Sequence, residues 1–258
     1  MRTRTRRLLD QAIGCRHQWK LGGVELSEPP RQIVPLSGGL TNESFLVDCG
    51  KSPVVVRING ENSSFLGIDR DRERKLLAAM IDLPYVPKVV YSDDEVQVTE
   101  FIPGEIVSVS QLNDPSIRQT IRTQLDNIQK IILDVDPINY VNYISDYSDQ
   151  LDEFPGLEEI HQAAQLLDKS PWRPVIAHHD LIRENVIVNG DEVYFIDWEY
   201  AHIGHPLMDN LKLFGRSYCQ DMADETLLDA LEAVRFGITH LWYAVQGLSD
   251  PFIEKLEE

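Results

Sequence analysis

Cysteine is scarce: Cys15, Cys49 and Cys219 stand far apart and odd in number in a chain of 258 residues. No disulfide framework or zinc spacing can be built from them, and a reducing, cytoplasmic setting is expected. Long apolar runs are missing too. No stretch approaches the ~18–20 uncharged residues that a bilayer-spanning helix needs, so no membrane partner is expected. Positive charge is short as well, with Lys+Arg 24 against Asp+Glu 42 and a formal charge of -18. A general nucleic-acid binder needs a basic face for phosphates, and that class is excluded. So acidic a surface is first of all a solvated one, though it also suits cationic or metal-bridged ligands. What is present is core material: 43% hydrophobic and 26% charged residues exclude a mainly disordered chain. The length suits one large domain or two small lobes.

Basic residues outnumber acidic ones at the start, where Arg2, Arg4, Arg6, Arg7, Arg16 and Lys20 face Asp10 alone within the first twenty residues. Leu8-Leu9-Asp10-Gln11 interrupts the apolar run that a signal peptide requires, so a short basic amphipathic helix is expected. Strand signals follow at Arg31–Leu36, Glu43–Cys49 and Pro53–Ile58, divided by Ser37-Gly38-Gly39 and Gly50-Lys51-Ser52. A helix is predicted from near Asp69 to Ile81, then strands Lys88–Tyr91 and Val96–Phe101. Past Pro103-Gly104 helices dominate. One begins behind Asp114-Pro115, one covers Leu157–Leu167, and one or two run on from Ala223. Val175–Ala177 and a hairpin turning at Asn189-Gly190 form the single β-rich island among them. The expected architecture is α+β. A small β-rich lobe over 1–104 ends in a hinge, and a larger helical lobe covers 105–258.

Chemistry concentrates around that hairpin. His178-His179-Asp180-Leu181-Ile182-Arg183-Glu184-Asn185 leads into it and Asp197-Trp198-Glu199 leaves it. Antiparallel pairing brings Asn185 and Asp197 to the same open end, with Asp180 in the preceding loop. Oxygen donors of this kind suit Mg²⁺, and an Asp outside the metal set can accept a proton from an attacking hydroxyl. Those are the parts of a phosphoryl-transfer site.

His-x-Asp-x-x-x-x-Asn followed by a strand-borne Asp resembles the catalytic and metal segments of the protein-kinase-like fold. Ile-Asp-Trp-Glu in place of Asp-Phe-Gly is similar to the aminoglycoside phosphotransferase and choline kinase superfamily. Gly204-His205-Pro206 with Asp209 resembles the Gly-x-Pro-x-x-Asp that follows there. The resemblance covers roughly residues 34–245. It implies ATP and Mg²⁺ as cofactors, Asp180 as base, and Asn185 and Asp197 as metal ligands. It also implies that Ser37, Gly38, Gly39, Thr41 and Asn42 cover the phosphates, that Arg57 grips them in a pair with Glu73, and that backbone at Glu100 and Ile102 holds adenine. His178 would order the loop. A zinc site from His178, His179, His202 and His205 is the weaker reading, since no cysteine joins it.

The acceptor is expected to be small and cationic. The stretches Leu36–Asn42 and Arg57–Glu61, the latter followed by Asp69-Arg70 and Glu73, resemble choline and ethanolamine kinases, as does Leu241-Trp242-Tyr243-Ala244-Val245-Gln246. A quaternary ammonium needs aromatic faces and a carboxylate, for which Trp198, Glu199, Tyr200 and Trp242 are the candidates beside Asp180. Thiamine kinase and aminoglycoside phosphotransferase remain open, as does a non-catalytic nucleotide-binding pseudokinase. Oligomeric state is not legible.

Overall fold

The alternating segments of the first hundred residues pair into one antiparallel sheet in the computed structural model, which describes residues 3–21, 23–26, 28–36, 39–50 and 52–249. Its strand order is Gln32–Leu36, Glu43–Asp48, Val54–Ile58, Val96–Glu100, Val89–Ser92. Register follows the side-chain alternation, with Phe45 opposite Val56 and Val56 opposite Val98. All three point into a core that also holds Val47, Val54 and Ile58. The basic helix expected at the N-terminus runs over Thr3–Gly14 and buries Leu8, Leu9 and Ala12 in that same core. Its polar side is tied down as well, by Arg4 to Glu61 at 3.1 Å and Thr5 to Glu43 at 2.5 Å.

The described residues group into two compact units. One comprises Met1–Ser63, Asp69–Leu125 and Arg183–Glu199; the other comprises Ser64–Ile68, Asp126–Ile182 and Tyr200–Glu258. This division differs from the expected break at residue 104, and the cause is strand pairing. A short strand just past the hinge, Glu105–Ile106, joins the hairpin strand Val186–Asn189, with Ile106 opposite Ile187. The hairpin therefore belongs with the sheet-bearing unit. Gly104 makes that approach possible: its φ is +142°, and a Cβ there would stand 2.5 Å from the Val188 carbonyl oxygen.

The second unit is built on helices Tyr140–Ser148, Leu157–Lys169, Met208–Phe214 and Glu225–Val245. Tyr140, Ile144 and Tyr147 recur at helical spacing and are buried with Leu167, Leu231 and Val234. A short antiparallel pair, Val175–Ala177 with His202–Gly204, crosses this unit. Among the described residues no helix is long and apolar enough to cross a membrane.

Gly104→Ala tests the pairing that moves the boundary. Strain at the positive φ and the clash with Val188 should cost roughly 1–3 kcal/mol, read as a lower urea midpoint at unchanged slope. Wild-type stability in this variant would mean that the hinge does not press on the hairpin.

Candidate active site

In the first unit the site is organised around two arginines, Arg57 buried and Arg70 partly buried. Arg57 lies near the end of the central strand and is 7% exposed. Its Nη2 donates to both carboxylate oxygens of Glu73, at 2.8 and 2.7 Å, and its Nε donates to Asn59 Oδ1 at 3.0 Å. Glu73 comes from helix Arg70–Ala79, whose start is fixed by Asp69 accepting the N–H groups of Asp71 and Arg72. That cap also sets the rotation that turns Glu73 inward, because positions one turn apart share a face. Arg70 Nη1 bridges Glu73 at 2.8 Å and Glu199 at 2.9 Å. Glu199 in turn accepts from Asn42 Nδ2 at 2.8 Å, while Asn42 Oδ1 accepts from the Gly60 N–H at 3.1 Å. Two cations and two carboxylates thus alternate, with Arg57, Glu73 and Glu199 buried and Arg70 partly so.

Burial alone would raise the Glu73 carboxyl, but the charges and hydrogen bonds of Arg57 and Arg70 prevail and bring it down to about 2. For Arg57 burial disfavours the charge, yet Glu73, Glu199 and Asp197 hold it protonated.

The hairpin does what antiparallel pairing predicts. Val186 faces Phe195, and the Ile196 N–H donates to the Asn185 carbonyl at 3.0 Å, so Asn185 and Asp197 stand at one end. Asp197 has φ +64° and a side chain 41% exposed, with Oδ1 3.3 Å from Arg57 Nη1. An amide side chain and an exposed carboxylate at one end of a hairpin, the carboxylate beside a buried arginine, are a donor set that would fit Mg²⁺. Among the described residues no group of three or more His, Cys, Asp or Glu forms a metal site.

Ser37 and Gly38 lie outside the described residues. At Gly39 a Cβ would stand 2.7 Å from the Asn42 carbonyl oxygen, and at Gly60 one would stand 2.4 Å from that of Thr41, so both glycines are required by close backbone approach. Glu100 ends its strand with its N–H and side chain engaged by Lys88, and Ile102 lies two residues beyond.

In the second unit the loop of His178, His179 and Asp180 is held by helix Met208–Phe214. Asp209 accepts the backbone N–H of His178 at 2.8 Å and of His179 at 2.9 Å. Burial pushes the Asp209 carboxyl up, opposed by His178, those N–H groups and Lys212. His179 has φ +60°, and its ring lies where a Cβ on Gly204 would come within 2.4 Å. His205 is a buried imidazole pushed down to about 4, with Nδ1 accepting from the Leu207 N–H at 3.2 Å. Asp180 pairs with Lys212 at 2.7 Å. Elsewhere in this unit Trp242 Nε1 donates to the Tyr200 hydroxyl at 2.7 Å.

Over residues 32–241 the chain matches the phosphotransferase enzyme family, APH. The chain belongs to that family. Among its relatives is the protein LicA of Haemophilus influenzae, 25% identical over 214 residues, covering 76% of this chain and 62% of LicA. A probable ethanolamine kinase of Nematostella vectensis is 27% identical over 206 residues, covering 69% of this chain and 58% of that protein. The chain thus spans about three fifths of the length of these relatives. The crystal structure of choline kinase LicA from Streptococcus pneumoniae superposes with a TM-score of 0.72 at 19% identity, covering 96% of this chain and 94% of that one. The fold is that of the protein-kinase-like phosphotransferases.

Within this family frame, two expected acceptor residues turn out to be otherwise engaged. Glu199 is 3% exposed and committed to Arg70 and Asn42. Trp198 is also 3% exposed, and its indole N–H donates to the Phe195 carbonyl at 2.9 Å. Both sit on the turn after the hairpin, where packing decides orientation. Motif reading passed over Lys212 and matched Arg70 without giving it a role. Their signals are spacing alone: Arg70 stands three before Glu73, and Lys212 three after Asp209.

Glu73→Gln should cost about 3–5 kcal/mol at pH 7, because it leaves buried guanidinium charge uncompensated. Glu73 has a folded-state value of about 2 against the ordinary 4.5, so its contribution is complete above pH 4.5 and lost as pH falls through about 2. The stability gap between wild type and variant, from urea melts, should therefore close across that window. A gap independent of pH there would show that the Glu73 charge does not hold the pair.

Proposed function

We propose that this protein is an ATP-dependent phosphotransferase that passes the γ-phosphoryl group to the hydroxyl of choline or ethanolamine. The observation that carries the proposal is the Arg57 guanidinium, fixed bidentately by Glu73 and reaching Asp197 at the metal-binding end of the hairpin. A charged arginine that is buried and fully oriented is pre-organised to hold phosphate oxygens. Family membership and the names of the relatives point the same way.

Residue by residue, Gly39, Thr41 and Asn42 with Ser37 and Gly38 cover the phosphates, and Arg57 grips them. Backbone groups at Glu100 and Ile102 hold adenine. Asn185 and Asp197 hold Mg²⁺, which when bound neutralises charge on the β- and γ-phosphates. Asp180 orients the acceptor hydroxyl and takes its proton. Little covalent help is needed for a loose transition state, so Asp180 works mainly by placing the nucleophile. Asp180→Asn should lower turnover by about two to four orders of magnitude while leaving nucleotide affinity nearly unchanged. Near-normal turnover in that variant would remove Asp180 from the base role, and a wild type that binds ATP without turnover would favour a pseudokinase.

The acceptor site is assigned to Asp180, Tyr200 and Trp242. The hydrogen bond between the last two fixes the indole at one orientation, as a ring that binds a cation by its face requires. Trp242→Leu keeps helix propensity and apolar volume but removes that face. It should raise the choline KM by roughly five- to thirtyfold, the worth of a desolvated cation–π contact, with ATP KM little changed. An unchanged choline KM would place the ammonium elsewhere. Good turnover of thiamine with none of choline would replace the acceptor and leave the phosphotransferase reading standing.

A further inference from the structure

The ion pair on Asp180 is unexplained by the roles assigned so far. Lys212 Nζ lies 2.7 Å from Asp180 Oδ1 and 3.2 Å from the His179 carbonyl oxygen, both as donor. The lysine side chain is 14% exposed and that of Asp180 is 29% exposed, so the pair lies at the edge of solvent and not in the core. Helix Met208–Phe214 supplies both clasps on the loop: Asp209 takes its N–H groups, and Lys212, one turn on, takes its carbonyl and its carboxylate. Tying the loop down needs only the Asp209 bonds and the carbonyl. Placing an ammonium on the carboxylate that must accept a proton is a separate feature and asks for a chemical reason.

We infer that Lys212 is a catalytic residue whose charge follows the transferring phosphoryl group; the inference rests on the phosphotransferase reading. A hydroxyl donating to Asp180 Oδ1 comes within hydrogen-bond reach, so its oxygen lies within ~6 Å of Nζ and the phosphorus it attacks within ~9 Å, a gap to the phosphoryl oxygens that the flexible lysine stem can close. In the transfer a bond forms between the acceptor oxygen and the γ-phosphorus, and the bond from that phosphorus to the β,γ-bridging oxygen breaks, leaving ADP. The hydroxyl proton passes to Asp180, whose charge is thereby cancelled, and leaves to water when product departs. At that moment Lys212 loses its carboxylate partner while negative charge sits on the phosphoryl oxygens beside it. The ammonium exchanges one anion for the other. In the resting state it neutralises Asp180 and so prevents the carboxylate from repelling the incoming phosphates.

Lys212→Gln isolates the charge, because an amide can still donate to both Asp180 and the His179 carbonyl. Lys212→Arg keeps the charge in another shape. Release of ADP is followed with Mg²⁺-ATP alone and with choline, together with ATP KM and melting temperature. The expected result is a ~100- to 1,000-fold loss of turnover in the glutamine variant, the usual worth of one donor to developing charge, with ATP KM within threefold and recovery to within ~10-fold in the arginine variant. Turnover of the glutamine variant within threefold of wild type would overturn the inference, as would equal losses in the two variants. Water as acceptor separates the readings. If wild type hydrolyses ATP but never phosphorylates choline, the acceptor assignment fails and the loss of hydrolysis in the glutamine variant still decides the role of Lys212. If wild type turns over no ATP at all, the phosphotransferase reading and this inference fall together.

Discussion

The buried pairing of Arg57 with Glu73 is the interaction on which the first unit's site depends. Removing two charges from water is tolerable only when each finds an opposite charge and its remaining hydrogen bonds are met. Arg57 meets that condition through Glu73, Asn59 and Asp197, and Glu73 meets it through Arg57, Arg70 and Gln97. Because Arg70 goes on to Glu199 and Glu199 to Asn42, the helix start, the turn after the hairpin and the segment at Asn42 share one set of charges. None of these segments can shift without uncovering a buried ion. A loop rich in glycine and small polar residues is thereby given a fixed end at Asn42.

Strain is stored in each unit next to its candidate residues. Among the described residues His179 and Asp197 are the non-glycine positions with positive φ; the first precedes Asp180 in its loop and the second stands at the open end of the hairpin. Each costs about 1–3 kcal/mol, which persists only where surroundings hold the backbone in place. For His179 those surroundings are Asp209 on its N–H and the missing side chain of Gly204 beneath its ring. For Asp197 they are the hairpin register and the Arg57 contact. Gly204 and Asp209 therefore act by holding the loop that carries Asp180.

Much of this was legible in the sequence wherever local rules act alone. Period-two alternation gave the strands of the sheet, Asp69 and Asp114 marked helix starts, and Asn189-Gly190 gave the hairpin turn. Helix Tyr140–Ser148 was missed because Tyr-Val-Asn-Tyr-Ile is strand-like in propensity; it is held by the Asn139 cap and by Asp168 accepting two of its first N–H groups. The strands Glu105–Ile106 and His202–Gly204 are two and three residues long and exist only by pairing with distant partners. Side-chain direction after the hairpin was equally illegible. Trp198 and Glu199 read as acceptor residues by motif, and only the packed structure commits them to Phe195 and to Arg70.

Phosphorus NMR of the wild-type protein with Mg²⁺-ATP and choline measures the central claim directly. Growth of a phosphate monoester signal in step with ADP, absent when choline is left out, is the result this account predicts. ADP accompanied only by inorganic phosphate, with choline, ethanolamine, thiamine and an aminoglycoside alike, would contradict it.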